Sequence, residues 1–106
     1  MSMGEQEPLG DKDSNPKPLF DLGQVVGTPG ALRALRDAGQ LPDEFLVRHV
    51  TGEWGELSDE DKQENEFSVE QGFSILSAYR LQTGVKLWVI TEWDRSVTTI
   101  LLPEEY

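Results

Sequence analysis

The sequence predicts an α+β domain, with about three N-terminal helices packed on a C-terminal three-stranded antiparallel meander. Three observations predict it. Phe73 to Leu102 reads as three β-rich runs joined by two short polar breaks. Before them, three stretches combine helix caps with apolar residues at helical spacing. And 106 residues suffice for one domain with a modest core.

In chain order, Met1 to Pro18 is polar and carries Pro8, Pro16 and Pro18. It lacks the apolar surface to offset its ordering entropy, so 1–18 is expected as a disordered tail and 19–106 as the domain. Leu19–Val26 is apolar but broken by Gly23, a short edge strand or an extended lead-in. Thr28 then offers an N-cap and Pro29 the first helical position, where a missing N–H costs nothing. Ala31, Leu32, Leu35 and Ala38 form the apolar stripe, and Gly39 closes the helix. Pro42 starts a second helix, with Asp43 and Glu44 complementing its dipole and Phe45, Leu46, His49 and Val50 along one side. Ser58 caps a third helix that runs to Gln71 before Gly72. Its apolar content is thin, Phe67 and Val69, so it is expected to pack by one weak edge and show an anionic face to water.

The three strands are Phe73–Gln82, Val85–Trp93 and Val97–Leu102, separated by Thr83-Gly84 and Asp94-Arg95-Ser96. Links this short favour antiparallel neighbours, because a parallel return needs a crossover. With two-residue turns, Leu76, Ala78, Leu87, Val89, Ile100 and Leu102 share one face, assigned to the core. Ser77, Tyr79, Trp88, Ile90, Glu92 and Thr99 share the other. A three-residue turn at 94–96 would shift the last strand's register. Leu87-Trp88-Val89-Ile90 is apolar on both sides, so the middle strand needs two covers, from packed helices or from a second copy in a homodimer.

Composition excludes several functions. There is no cysteine, hence no disulfide and no thiolate metal site, which fits a cytoplasmic protein. No apolar run approaches the roughly 20 residues of a membrane span, and the N-terminus lacks the basic and apolar regions of a secretory signal. Nine Lys+Arg against 20 Asp+Glu give a net charge of −11. Such a surface repels nucleic-acid backbones and anionic membranes and steers toward basic proteins.

No complete catalytic motif is present. His49, the only histidine, is the one side chain that titrates near neutrality unaided. If the chain were an enzyme, His49, Glu53, Tyr79 and Arg95 would serve as acid, base and phosphate contacts. His49 and Glu53 alone do not make a metal site, and Asp59, Asp61 and Glu64 lack the glycine and spacing of a calcium loop, so no metal and no cofactor are expected. As interaction residues the candidates are Trp54 in a loop, Asp59, Asp61 and Glu64 on the acidic helix, and Glu92, Asp94 and Arg95 in the last turn.

Phe20-x-Leu22-Gly23-Gln24-Val25-Val26 before Thr28-Pro29-Gly30-Ala31-Leu32 forms one recognisable stretch. Arg48-His49-Val50-x-Gly52-x-Trp54-Gly55, Asn65-Glu66 and Ser77-Ala78-Tyr79 follow, and Trp88 to Pro103 completes the set. Over roughly 19–106 the chain resembles a family of small bacterial proteins of unknown function from plasmids and integrated mobile elements, called plasmid-related proteins. Some members carry a restriction-modification subunit label, although a chain this short has no room for a methyltransferase domain. Trp93 stands where the family pattern has a small residue. The resemblance implies a bacterial mobile-element setting and carries over no activity and no catalytic residues.

Two readings follow from the residues. The first is a non-enzymatic interaction protein that binds a basic protein through its acidic helix or aromatic face, in its sharpest form by mimicking DNA charge. The second is a small nuclease-like toxin or hydrolase using His49, Glu53 and Arg95, whose need for a basic cleft sits poorly with nine basic residues.

Overall fold

The computed structural model describes residues 17–106, so the expected tail over 1–18 lies outside the described residues except for Lys17 and Pro18, both exposed. The elements run β1 (Gln24–Gly27), α1 (Pro29–Ala38), α2 (Pro42–Val50), α3 (Asp59–Gln71), β2 (Ile75–Arg80), β3 (Lys86–Thr91) and β4 (Val97–Leu101), closed by a 3-10 turn at Pro103–Glu105. Local chemistry sets the helix ends. Thr28 Oγ1 accepts from the Ala31 N–H at 3.2 Å and Gly39 caps the far end of α1. Ser58 Oγ accepts from the Asp61 N–H at 3.1 Å and Gly72 caps α3.

The sheet corrects the expected architecture. It is four-stranded and mixed, in the order β1-β4-β3-β2, rather than a three-stranded antiparallel meander. β2–β3 and β3–β4 are antiparallel, but β1, which precedes every helix, lies parallel to β4 with Gln24 opposite Val97 and Gly27 opposite Ile100. Helical structure is not confined to the amino-terminal half either, since the 3-10 turn follows the last strand. The physical reason is an uncovered edge. Without β1, the ladder groups of β4 that face it would have no backbone partner.

The first hairpin corrects the register as well. Leu81 N–H donates to the Val85 carbonyl and Gly84 N–H to the Leu81 carbonyl, both at 2.8 Å, so the loop is Gln82-Thr83-Gly84 rather than Thr83-Gly84 alone. Gly84, at φ 93, supplies the left-handed residue that such a loop needs. One extra loop residue flips every side chain of the strand. Ser77 and Tyr79 therefore join Leu87, Val89 and Ile100 on the helix-covered face, and Leu76 and Ala78 join Trp88, Ile90 and Thr99 on the other.

The core forms between α1, α2 and the first of these faces. Ala31 and Leu35 from α1 and Phe45 from α2 pack with Tyr79, Leu81, Leu87, Val89 and Ile100. α3 lies along the β2 edge, but not by the apolar edge expected of it. Phe67 is 57% exposed and stacks on Phe73, and the buried positions are Asn65 and Ser68. Asn65 Nδ2 donates to the Leu76 carbonyl at 2.7 Å and its Oδ1 accepts from the Leu76 N–H at 3.3 Å, so a side-chain amide takes the place of a neighbouring strand. One residue pair on, Ala78 donates to the Trp54 carbonyl and accepts from the Glu56 N–H. The 3-10 turn is tied back to α1 by Glu105, whose carboxylate accepts from Thr28 Oγ1 and from the Leu102 N–H.

Candidate functional site

His49 is the first residue to place, because imidazole chemistry would need it open to a substrate. It projects from α2 onto the centre of the sheet and is fully buried. Nδ1 lies 2.6 Å from Ser77 Oγ and Nε2 lies 2.9 Å from Thr91 Oγ1. Thr91 Oγ1 lies 2.7 Å from Thr98 Oγ1, which donates to the Leu22 carbonyl at 2.7 Å. That last acceptor fixes every proton in the row. A carbonyl can only accept, so the Thr98 hydroxyl proton is spent on Leu22. Thr91 must then donate to Thr98 and His49 Nε2–H to Thr91; burial keeps the ring neutral, which leaves Nδ1 to accept from Ser77. The imidazole is neutral, in the Nε2–H tautomer, with both nitrogens occupied.

Phe20 packs edge-on against the His49 ring at 5.2 Å and Trp54 at 6.1 Å, closing the pocket. Burial, reinforced by the Arg95 charge, pulls the His49 pKa down to about 4. The consequence for stability has a definite sign. Between pH 4 and 6.5 the unfolded chain holds a proton that the folded chain does not. Stability is therefore complete above pH 6.5 and falls as pH drops toward 4, by about 3 kcal/mol in all. Urea unfolding at a series of pH values should show this slope, and a His49→Gln variant should lose it between pH 6.5 and about 5, above the range where unfolded carboxylates take up protons. The exposed carboxylates of Glu56, Asp94 and Glu105 are held below their ordinary values by hydrogen bonds from Arg80, Ser96 and Thr28 respectively.

The other residues named for catalysis do not gather around this imidazole. Glu53 is exposed and paired with Arg48 at 2.9 Å. Tyr79 is buried, donates to the Glu53 carbonyl at 2.6 Å and has its phenol pushed up to about 12 by desolvation. Those two do lie together, beside Arg48, whose guanidinium sits 4.5 Å from the Tyr79 ring centre. Arg95 is elsewhere. Its Nη1 donates to the carbonyls of Phe73, Glu92 and Trp93, its Nη2 to that of Ser68, and its plane lies 5.4 Å from the Phe20 ring centre. It ties the last turn to the end of α3, and its backbone adopts φ 61 to do so. Among the described residues no group of three or more candidate ligands comes together to hold a metal, and no helix is long and apolar enough to cross a membrane.

The interaction candidates divide. Trp54 is 3% exposed and donates Nε1–H to Glu66 at 2.8 Å, so it is a packed residue rather than a surface anchor. Asp94 accepts from the backbone and hydroxyl of Ser96 and shapes its own turn. Glu92 is half-buried, and its carbonyl accepts from Arg95. Asp59, Asp61 and Glu64 are exposed on α3, and Asp61 and Glu64 stand beside a groove of about 370 Å³ on the outer face of the sheet. Leu57, Leu76, Trp88, Ile90 and Tyr106 supply its apolar lining, with Trp88 and Tyr106 meeting edge to face at 5.7 Å.

Ser77, Thr91, Thr98, Asn65 and Arg48 were not among the site residues expected from the sequence. A signal existed for the first three. They are hydroxyl residues spaced among aliphatics on strands, where an all-apolar core face would carry Val or Ile. No family model matches the chain, and neither curated proteins nor solved structures provide a match.

Proposed function

We propose that this chain is a non-enzymatic binding module that takes a basic, partly apolar segment of a protein partner into the outer-face groove beside α3. The observation that carries the reading is the pairing of two features at one place. The groove offers Leu57, Leu76, Trp88 and Ile90 as an apolar floor, and Asp61 and Glu64 rim it with negative charge. Along α3 and the loop before it, acids recur at positions 53, 56, 59, 60, 61, 64, 66 and 70 against Lys62 alone. An apolar floor supplies affinity, and a one-signed rim selects the partner and speeds encounter.

What speaks against the nuclease-like reading is the state of its residues. The imidazole is enclosed, neutral and fully hydrogen-bonded, and Arg95 turns Nη1 and Nη2 to backbone carbonyls. The cytoplasm of a bacterium carrying a mobile element is the setting we propose, supported by the absence of cysteine and by the resemblance to plasmid-related proteins.

The test is capture of bacterial proteins on the immobilised chain at about 0.15 M salt, where exposed charges still act over a Debye length. A basic protein retained by the wild type should be weakened about tenfold by Asp61→Asn with Glu64→Gln, and similarly by Trp88→Ala. Retention of the same protein unchanged by both variants would reject the groove.

A further inference from the structure

The sheet ends in two edges that are treated in opposite ways. At β2 the edge is closed, by the Asn65 amide on Leu76 and by Trp54 and Glu56 on Ala78. At β1 it is open. Gln24 donates to the Ser96 carbonyl and Thr28 to the Ile100 carbonyl. In a parallel ladder alternate residues face the partner. Val25 and Gly27 therefore direct N–H and C=O away from β4, and among the described residues no hydrogen bond reaches those groups.

The side chains around that edge fit association rather than solvation. Val25 is 42% exposed, Val26 39% and Leu32, in the first turn of α1, 44%. In a chain with 27% charged residues, none falls between Asp21 and Arg33. The Glu105 carboxylate reaches Thr28 from the closing turn but is already hydrogen-bonded there. Edges left to face water are ordinarily blunted by brevity, lysine, proline or a bulge; β1 is short, at 4 residues, but carries no lysine, proline or bulge.

We propose that β1 is a self-association edge, where a second copy of this chain lays its own β1 antiparallel across a two-fold axis. The two four-stranded sheets would then run on as one. Such an interface is isologous, each Val25 and Gly27 offering the groups that the other copy needs. Charge layout favours a second copy as the occupant. The acidic helix α3 lies along β2, at the far edge, with β4 and β3 between. At about 4.8 Å per strand, the two acidic helices, each beyond its own β2, would stand roughly 40 Å apart. That is several Debye lengths at physiological salt, so the two acidic helices do not oppose the pairing. A strongly basic strand would instead be drawn to α3 and gains nothing at an uncharged edge.

The experiment is molar mass by sedimentation equilibrium across about three decades of concentration, with amide exchange of Val25 and Gly27 followed in parallel. The wild type should move from 11.9 kDa to twice that mass, and both amides should slow as it does. Val25→Pro removes only the outward N–H, which β4 does not use, and proline is accepted at such edge positions. It should stay folded by circular dichroism and raise the dissociation constant at least tenfold, as should Val25→Lys. Asp61→Asn with Glu64→Gln should leave the mass unchanged, so failure here is distinct from failure of the groove. A wild type that stays at 11.9 kDa throughout, a Val25→Pro variant that pairs like wild type, or amides protected in the monomer at every concentration would each overturn the proposal.

Discussion

His49→Ala is expected to lower the unfolding free energy by about 4 kcal/mol, a large share of the 5–15 kcal/mol typical of a domain. Two costs add. The variant leaves a cavity under α2 where Phe20 and Trp54 now meet the ring, and a large-to-small change of this kind costs about 2–4 kcal/mol. It also leaves Ser77 without its acceptor and Thr91 without its donor in a region from which water is excluded, at about 1–3 kcal/mol for each stranded group. Relaxation of the pocket recovers part of this. Urea unfolding at pH 7 measures it. A loss under about 1 kcal/mol would mean that the row of hydroxyls does not hold the sheet to α2. Ser77→Ala, which strands only Nδ1, should cost about 1–2 kcal/mol.

Gly55→Ala is expected to cost at least about 3 kcal/mol, for a reason independent of the histidine. Gly55 sits at φ 83 in the loop that closes the β2 edge, and a Cβ there would lie 1.9 Å from the Ala78 carbonyl oxygen. That oxygen is backbone and is held by the Glu56 N–H at 2.6 Å, so it cannot move aside without opening the edge. Gly72→Ala is the matched control. Gly72 has a similar φ of 80 but nothing within 4 Å of its would-be Cβ, so it should show only the left-handed penalty of about 1–2 kcal/mol. Thermal or urea unfolding of the pair separates the clash from the dihedral. Equal losses would mean that the loop does not press on β2.

The helix boundaries were legible in the sequence because they are written in local chemistry. Thr28, Pro29 and Gly39 bound α1, and Ser58 and Gly72 bound α3, each acting on residues within one turn of itself. What was not legible depends on partners far along the chain. β1 reads as an edge strand or a lead-in alike until β4 lies beside it, and no periodicity in Gln24–Gly27 names Val97–Leu101 as the neighbour. The first hairpin turned on one loop residue, since Thr83-Gly84 and Gln82-Thr83-Gly84 are equally good turn sequences and differ in which face Tyr79 takes. Asn65 read as one more polar residue on a polar helix, and only the uncovered backbone of Leu76 gives it a task.

The candidate site was legible in the same uneven way. The charge of α3 can be counted from the sequence, but the apolar floor beside it arises because the shifted register turns Leu76 outward next to Trp88 and Ile90. The inner side of α2 was evident from Phe45, Leu46 and His49 at helical spacing, and burial at that side is what takes the imidazole out of reach. Its two partners come from different strands, and Thr98, which continues the row, from a third, so their meeting is a property of the sheet and not of any one segment.

The most direct measurement is the pair of ring-nitrogen chemical shifts of His49, followed by NMR from pH 8 to 3. The account predicts one protonated nitrogen, Nε2, and one bare nitrogen, Nδ1, unchanged down to about pH 5, with protonation centred near 4 and loss of the folded spectrum alongside it. An imidazole that titrates near 6.5 in the folded protein, or carries its proton on Nδ1, would contradict it and return His49 to the list of groups able to do chemistry.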